Sequence, residues 1–197
     1  MNTPGINFSP LTRRYTLEEL WDLPEREDGA YYDLIGGILF LVPRPDPPHG
    51  HVVSRTCREL IKFMVANNTA GDVYFPHEPI CRGAEGSTYL EPDLMYVSRE
   101  SRQETGAQRT SADIVFEVLS CMTIVYDCTI KADTYLALNV KELWLIDPVT
   151  ATIEVRYASK KGEMLVWKAL KYSRGQNAKS RVLEGFDVSV GELFAEL

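Results

Sequence analysis

Two carboxylates and one lysine are the residues of this chain best placed to do chemistry. Asp93 follows a proline at the start of a strand-like run, and Glu117 lies 24 positions later inside the apolar run DIVFEVL. Lys131 follows in a segment with a helical pattern. A carboxylate inside an apolar strand is unfavourable unless a cation pairs with it. The pattern therefore predicts that Glu117 faces either a divalent metal or a lysine.

A metal site is the first interpretation of these residues. Carboxylates on neighbouring strands can face one pocket, and the carbonyl of Val118 can complete an all-oxygen site suited to Mg²⁺ or Mn²⁺. We therefore expect Asp93, Glu117 and Val118 to bind the metal. Such a metal activates water and neutralises phosphoryl oxygens, which suits phosphodiester hydrolysis. Lys131 would hold the scissile phosphate or steady the attacking water.

The segments around these residues predict an α/β fold. Residues 31–42 indicate a β-hairpin that turns at Gly36-Gly37, because a tight glycine turn separates two apolar runs. The other predicted strands are 73–75, 79–82, 93–97, 113–119, 142–146, 152–157 and 164–170. We expect a core with a mixed central sheet flanked by helices, and an N-terminal hairpin that extends this core.

Helical patterns fill the gaps between the predicted strands. Apolar residues at three- and four-residue spacing predict helices over 50–67 and 124–138. In the second of these, Asp127, Lys131 and Tyr135 are spaced to share one face. Short helices are expected after Thr16 and over 191–197, and the polar residues 98–110 predict a loop.

Several motifs occur in an order and spacing that resembles the Uma2 family. They are Tyr32-Asp33-Leu34-Ile35, Pro43 with His49, Pro92-Asp93-Leu94, Asp113 to Ser120 (DIVFEVLS), Asp127 with Lys131 and Tyr135, and Glu142 to Pro148 (ELWLIDP). The resemblance runs from about Tyr15 to Tyr157. This family is assigned to the PD-(D/E)XK nuclease superfamily, so the resemblance implies a restriction-endonuclease-like core.

The resemblance also implies roles for individual residues. Asp93 corresponds to the aspartate of the PD motif and Glu117 to the acidic residue of (D/E)XK. The usual lysine would fall at Leu119 and is absent, and Lys131 occupies the place of a lysine displaced to the following helix. His49 matches a histidine before the first long helix and joins the candidate catalytic residues. The implied activity is metal-dependent endonucleolytic cleavage of nucleic acid, with DNA favoured over RNA as the substrate.

The composition indicates a globular protein and excludes one that spans a membrane. The chain has 197 residues and a formal charge of −7, with 45% hydrophobic and 25% charged residues, which is ordinary for a globular protein. No run approaches the roughly 18 apolar residues of a membrane span. We expect a flexible arm over 1–14 and a single nuclease-like domain over 15–197. Four cysteines without a metal-binding spacing or an export signal predict reduced thiols and a cytoplasmic protein.

The charge is unevenly distributed. Residues 156–181 hold eight Lys and Arg against one Glu, a net +7, which leaves −14 on the remainder. An acidic total excludes a protein that coats nucleic acid through charge. The basic segment has two interpretations, a surface that holds a phosphate backbone or lysines that protect a sheet edge.

Alternatives to the nuclease interpretation stay open at this stage. Glu117 could belong to an ion pair in the core. Lys131 and Asp127 could form an ion pair on the surface, and His49 could cap a helix. The chain departs from the family pattern at Asp33, where Glu is usual. A non-catalytic binding or assembly module that keeps the nuclease fold is therefore a second hypothesis. A homodimer through apolar strands of the hairpin is a further expectation.

Overall fold

The computed structural model describes residues 13–45, 47–83, 87–105 and 109–196. The helices there are α1 (Leu17–Trp21), α2 (His49–Asn67), α3 (Arg99–Thr105), α4 (Ile124–Tyr126), α5 (Ala132–Ala137) and α6 (Val190–Leu193), and a π-helical turn, Asp127–Lys131, joins α4 to α5. The strands are β1 (Tyr31–Ile35), β2 (Ile38–Val42), β3 (Gly71–Tyr74), β4 (Ile80–Arg82), β5 (Thr88–Leu90), β6 (Leu94–Ser98), β7 (Ile114–Val118), β8 (Glu142–Asp147), β9 (Thr152–Lys161), β10 (Met164–Tyr172), β11 (Asn177–Lys179) and β12 (Asp187–Ser189).

The predicted arm, residues 1–14, lies outside the described residues except for its last two. Arg13 forms an ion pair with Glu19, and Arg14 donates a hydrogen bond to the carbonyl of Gly36. The predicted capping box is present, with the Thr16 hydroxyl accepting from the Glu19 amide at 3.2 Å. This cap fixes the start of α1.

A six-stranded mixed sheet forms the centre of the molecule. Its strand order is β10-β9-β8-β7-β6-β3. β7 and β8 run parallel, and the other neighbours in this sheet are antiparallel. The α/β class with a mixed central sheet flanked by helices, predicted from the sequence, is confirmed.

The two faces of the central sheet have separate cores. Side chains alternate along a strand, so Phe116 of β7 packs with Val52 and Leu60 of α2 on one face. Val115 packs with Tyr135 of α5 on the other face. Glu117 lies two residues after Val115 on β7, so its side chain is on the same face of the sheet. It therefore points toward the layer that contains the π-helical turn.

The N-terminal hairpin lies in a second sheet, of order β2-β1-β5-β4. Its turn is at Gly36-Gly37, as predicted, and both glycines have the positive φ that this turn requires (58° and 82°). The hairpin extends the core, as predicted, and it does so through this second sheet rather than through the six-stranded one. Leu34 of β1 pairs with Tyr89 of β5, a three-residue strand too short to give a clear sequence pattern.

Some element predictions are corrected by the structure. Part of the predicted loop 98–110 is α3, a polar helix without an apolar face, whose first turn is held by the Ser98 hydroxyl and the Ser101 amide at 3.2 Å. The helix predicted over 124–138 contains the π-helical turn. The terminal helix predicted over 191–197 is the shorter α6.

Candidate active site

All five predicted site residues line one cleft of about 720 Å³. They are His49, Asp93, Glu117, Val118 and Lys131. The cleft lies where β6 begins and β7 ends, so that residues far apart in sequence meet there. Asp127 of the π-helical turn also lines it.

Asp93 is held in position by one of its two carboxylate oxygens. Its Oδ2 accepts a hydrogen bond from the Val118 amide at 2.8 Å and lies 3.0 Å from His49 Nε2. His49 is the first residue of α2, so the start of that helix orients the acid. In a strand the N–H and C=O of one residue point to the same side. The Val118 carbonyl therefore also faces the side on which Asp93 lies.

Glu117 is buried and paired. Its Oε1 lies 2.9 Å from Lys131 Nζ and accepts a hydrogen bond from the Tyr135 hydroxyl at 2.5 Å. Such charge-assisted contacts are stronger than neutral hydrogen bonds. The carboxylate therefore has a fixed orientation at the floor of the cleft.

The ammonium group of Lys131 is also held from the second sheet. It donates to the Glu91 carbonyl at 3.3 Å and lies 3.8 Å from Asp33 Oδ2. Asp33, which is fully buried on β1, accepts from the Tyr126 hydroxyl at 2.9 Å and from the Glu91 amide at 3.2 Å. The hairpin thus contributes an acid that helps to fix the lysine.

The electrostatics of the cleft reflect an excess of buried acid. Burial raises the pKa of Glu117 well above its usual range, and Asp93 and Asp127 add to this effect while Lys131 opposes it. Burial raises the pKa of Asp33 to about 6. For Lys131, burial favours the neutral amine, but the surrounding charges, Glu117 foremost, raise its pKa well above the usual value. Lys131 therefore stays protonated.

The π-helical turn places two of these residues toward the cleft. Asp127 and Lys131 stand at its ends, and both are buried, as is Tyr135 one α-helical turn later. A π-turn carries more residues per turn than an α-helix, and such turns occur often at functional sites. The face shared by these three residues, predicted from their spacing, is observed.

The cleft fits a divalent cation because some of its carboxylate oxygens accept no hydrogen bond from the described residues and can therefore bind a metal. Within the described part of the chain, Oδ1 of Asp93 and Oε2 of Glu117 accept no hydrogen bond. Neither is sealed from solvent, since Arg109 Nε is the one fully buried side-chain polar atom there without a partner. These two oxygens and the Val118 carbonyl would provide an all-oxygen donor set.

The donor set is sparse. Across the described ranges, no group of three or more His, Cys, Asp or Glu residues could hold a metal ion. Mg²⁺ usually keeps several waters and needs only one or two protein carboxylates. The residues present therefore fit a hydrated Mg²⁺ or Mn²⁺ better than a metal enclosed by protein ligands.

Sequence reasoning missed three contributors to this site. The sequence marks Asp33 only as part of a family motif in which Glu is usual, and it predicts no role in the site for Tyr126 or the backbone of Glu91. Tyr126 contacts an acid 93 positions earlier, a distance over which no local pattern carries information. The sequence does contain one indication for Asp33. Its charged side chain lies between apolar residues of a predicted strand.

The basic segment 156–181 lies mostly away from the cleft. The register pairs Glu142, at the start of β8, with Tyr157, and the β9–β10 ribbon continues beyond that end of the sheet. Glu117 lies at the other end of the neighbouring strand β7. β10 is an edge strand, and Lys168 and Lys171 are exposed on it. This placement favours the interpretation that lysines protect a sheet edge.

The fold and the acid-lined cleft define a restriction-endonuclease-like α/β protein. The family model Uma2, described as "Putative restriction endonuclease", matches residues 17–191. The chain therefore belongs to the Uma2 family.

A solved structure gives independent support for the fold. A "putative nuclease belonging to DUF820" from Anabaena variabilis ATCC 29413 is similar to this chain, with a TM-score of 0.65 and 21% identity over 91% of this chain and 97% of that one. At this identity the likeness shows the fold. No curated protein matches the chain. The family description supports a nuclease.

Among the helices in the described ranges, none has the length and apolar character to cross a bilayer.

Proposed function

We propose that this protein is a metal-dependent endonuclease that hydrolyses phosphodiester bonds in DNA. The observation that carries the proposal is the convergence of Asp93, Glu117 and Lys131 on one cleft. Asp93, Glu117 and the Val118 carbonyl would hold Mg²⁺ or Mn²⁺. When bound, the metal would lower the pKa of a water and neutralise charge on the phosphoryl oxygens.

The chain's own residues orient the reacting groups. His49 and the Val118 amide hold Asp93 by Oδ2, which leaves Oδ1 available to the cleft. Tyr135 and Lys131 hold Glu117 by Oε1 in the same way. In hydrolysis a water oxygen attacks phosphorus, the bond to the leaving sugar oxygen breaks, and a proton passes by way of solvent from the attacking water to that sugar oxygen. The Lys131 ammonium stabilises the negative charge that develops on the phosphoryl group.

A plasmid-cleavage assay with Mg²⁺ or Mn²⁺ tests the proposal. We expect the native protein to cleave DNA supplied as supercoiled plasmid or as circular single strands, and Asp93→Ala and Glu117→Ala to lose this activity. Glu59→Gln, which alters a partly exposed acid of α2 outside the cleft, serves as the matched control and should cleave normally. Near-UV circular dichroism checks that each variant is folded. Equal cleavage by native protein and both alanine variants would contradict the proposal.

One observation favours a second candidate, a non-cleaving module that keeps the fold. Lys131 is fully buried and already neutralises Glu117, so the site is partly compensated without any metal. Calorimetry with Mn²⁺ separates the two candidates. An endonuclease should give binding heat that Glu117→Gln abolishes, whereas a non-cleaving module should give no heat that depends on this residue.

The proposal extends to assembly and location. We infer a homodimer through β2, which is an edge strand of the second sheet and exposes Ile38 and Leu41. Sedimentation velocity tests this inference, and a single monomer peak at micromolar concentration would refute it. We also infer a cytoplasmic location, because the four cysteines form no disulfide among the described residues.

A further inference from the structure

The reacting groups of the cleft are difficult for a rigid substrate to reach. The side chains of Glu117 and Lys131 are 3% and 2% exposed, and that of Asp93 is 17% exposed. A cleft of about 720 Å³ falls within the range, roughly 300–1,000 Å³, of pockets that enclose a small ligand. Paired DNA is stiff over many base pairs, so its backbone does not bend into a recess of this size. An unpaired strand has the flexibility to do so.

The walls of the cleft offer a surface for a nucleobase. Phe75 follows β3, lines the cleft and is 49% exposed. Among the described residues its ring stacks on no other aromatic ring, which leaves its face available. Pro43 and Val53 extend the apolar lining. Bases of an unpaired strand stack on exposed aromatic side chains independently of sequence, because every base has a π-face.

The cleft also contains a cation that pairs with no acid in the described part of the chain. Arg44 is exposed and lines the cleft. It forms no ion pair with an acid in the described ranges, whereas Lys131 is paired with Glu117. A free guanidinium binds phosphate with two parallel hydrogen bonds. Arg44 is therefore available for a phosphate next to the scissile one.

We propose that the cleft takes an unpaired polynucleotide strand, with a base on Phe75, a flanking phosphate on Arg44 and the scissile phosphate at Asp93 and Glu117. The inference rests on the proposed nuclease function and adds its substrate class. The substrate is a single strand with exposed bases and a phosphate backbone. Single-stranded DNA and single-stranded RNA both have this chemistry, and the experiment distinguishes them.

Fluorescence anisotropy in the presence of EDTA tests binding apart from cleavage. The probes are a labelled single-stranded DNA, the RNA of the same sequence and the corresponding DNA duplex. We expect one or both single strands to bind more tightly than the duplex. Phe75→Ala should weaken single-strand binding by about 5- to 100-fold, and Arg44→Gln should weaken it and reduce its salt dependence. Trp21→Ala removes an aromatic ring that is 61% exposed outside the cleft, and it should have no effect.

A parallel cleavage assay with Mg²⁺ or Mn²⁺ keeps the two claims apart. Faster cleavage of the single strand, slowed by Phe75→Ala, supports the inference. Equal or tighter binding of the duplex, or an equal effect of Trp21→Ala and Phe75→Ala, overturns it. Cleavage of the duplex at least as fast as the single strand also overturns it while the nuclease function stands. Cleavage of neither substrate overturns the nuclease function, and anisotropy then still decides which strand the cleft binds.

Discussion

Replacing Lys131 with Met tests the electrostatic account of the cleft. The substitution removes the ammonium group and keeps a long apolar side chain in a position that is 2% exposed. Glu117 then loses its cation at 2.9 Å, and Asp33 loses the one at 3.8 Å. Tyr135 and Tyr126 remain as hydrogen-bond donors to these two acids.

The expected loss of stability follows from the burial of this pair. Removing one partner of a buried ion pair costs about 3–5 kcal/mol, because the other charge stays in a poorly solvated place. Methionine keeps most of the packing of the lysine stem, so the loss is mainly electrostatic.

The cost should depend on pH. The pKa of Glu117 is raised in the folded protein, and removing Lys131 raises it further, since the lysine lowers it. The folded state then binds protons that the unfolded state releases, so stability falls as pH rises from about 4 through the raised pKa. The destabilisation by Lys131→Met is therefore largest at pH 8 and smallest near pH 5.

Urea unfolding followed by tryptophan fluorescence measures this effect. Lys62→Met is the control, because Lys62 is exposed and pairs only with Glu59 on the surface of α2, and it should cost no more than about 0.5 kcal/mol. In the double variant Lys131→Met/Glu117→Gln, part of the loss should be recovered. A loss below about 1 kcal/mol at pH 8, with no change at pH 5, would refute the account.

Three further outcomes are expected. Tyr135→Phe removes the hydroxyl that donates to Glu117 and should lower the free energy of unfolding by about 1.5–3 kcal/mol, measured by urea titration. Asp33 has a pKa of about 6, so native stability should fall by up to about 3 kcal/mol between pH 4 and 6, and Asp33→Asn should lack this fall in a pH series of thermal melts. Glu142→Gln should cost about 1–3 kcal/mol, because one oxygen accepts from Trp144 and the other from two backbone amides, and an unchanged melting temperature would contradict this.

The main elements of the central sheet could be predicted because burial leaves a local signature. The strands β7 and β8 are runs of apolar residues buried on both faces. The polar helix α3 could not be found in this way, since it buries no apolar stripe. The sheet to which the hairpin belongs could not be found either, because the pairing of Leu34 with Tyr89 is not encoded near Leu34.

The candidate site could be predicted in part for a related reason. Glu117 and Lys131 were found because charges in apolar surroundings require partners. Asp33 and Tyr126 lie on elements that meet only in the folded chain. The π-helical turn was missed because the i, i+4 spacing of Asp127 and Lys131 fits an ordinary α-helix equally well.

Metal-dependent cleavage by isosteric variants tests the central claim most directly. The rate of phosphodiester cleavage is measured with Mg²⁺, with Mn²⁺ and with EDTA, on circular single-stranded DNA and on supercoiled plasmid. The account predicts metal-dependent cleavage by the native protein and a loss of at least about 100-fold in Asp93→Asn and Glu117→Gln. Cleavage that survives either substitution, or that proceeds unchanged in EDTA, would contradict it.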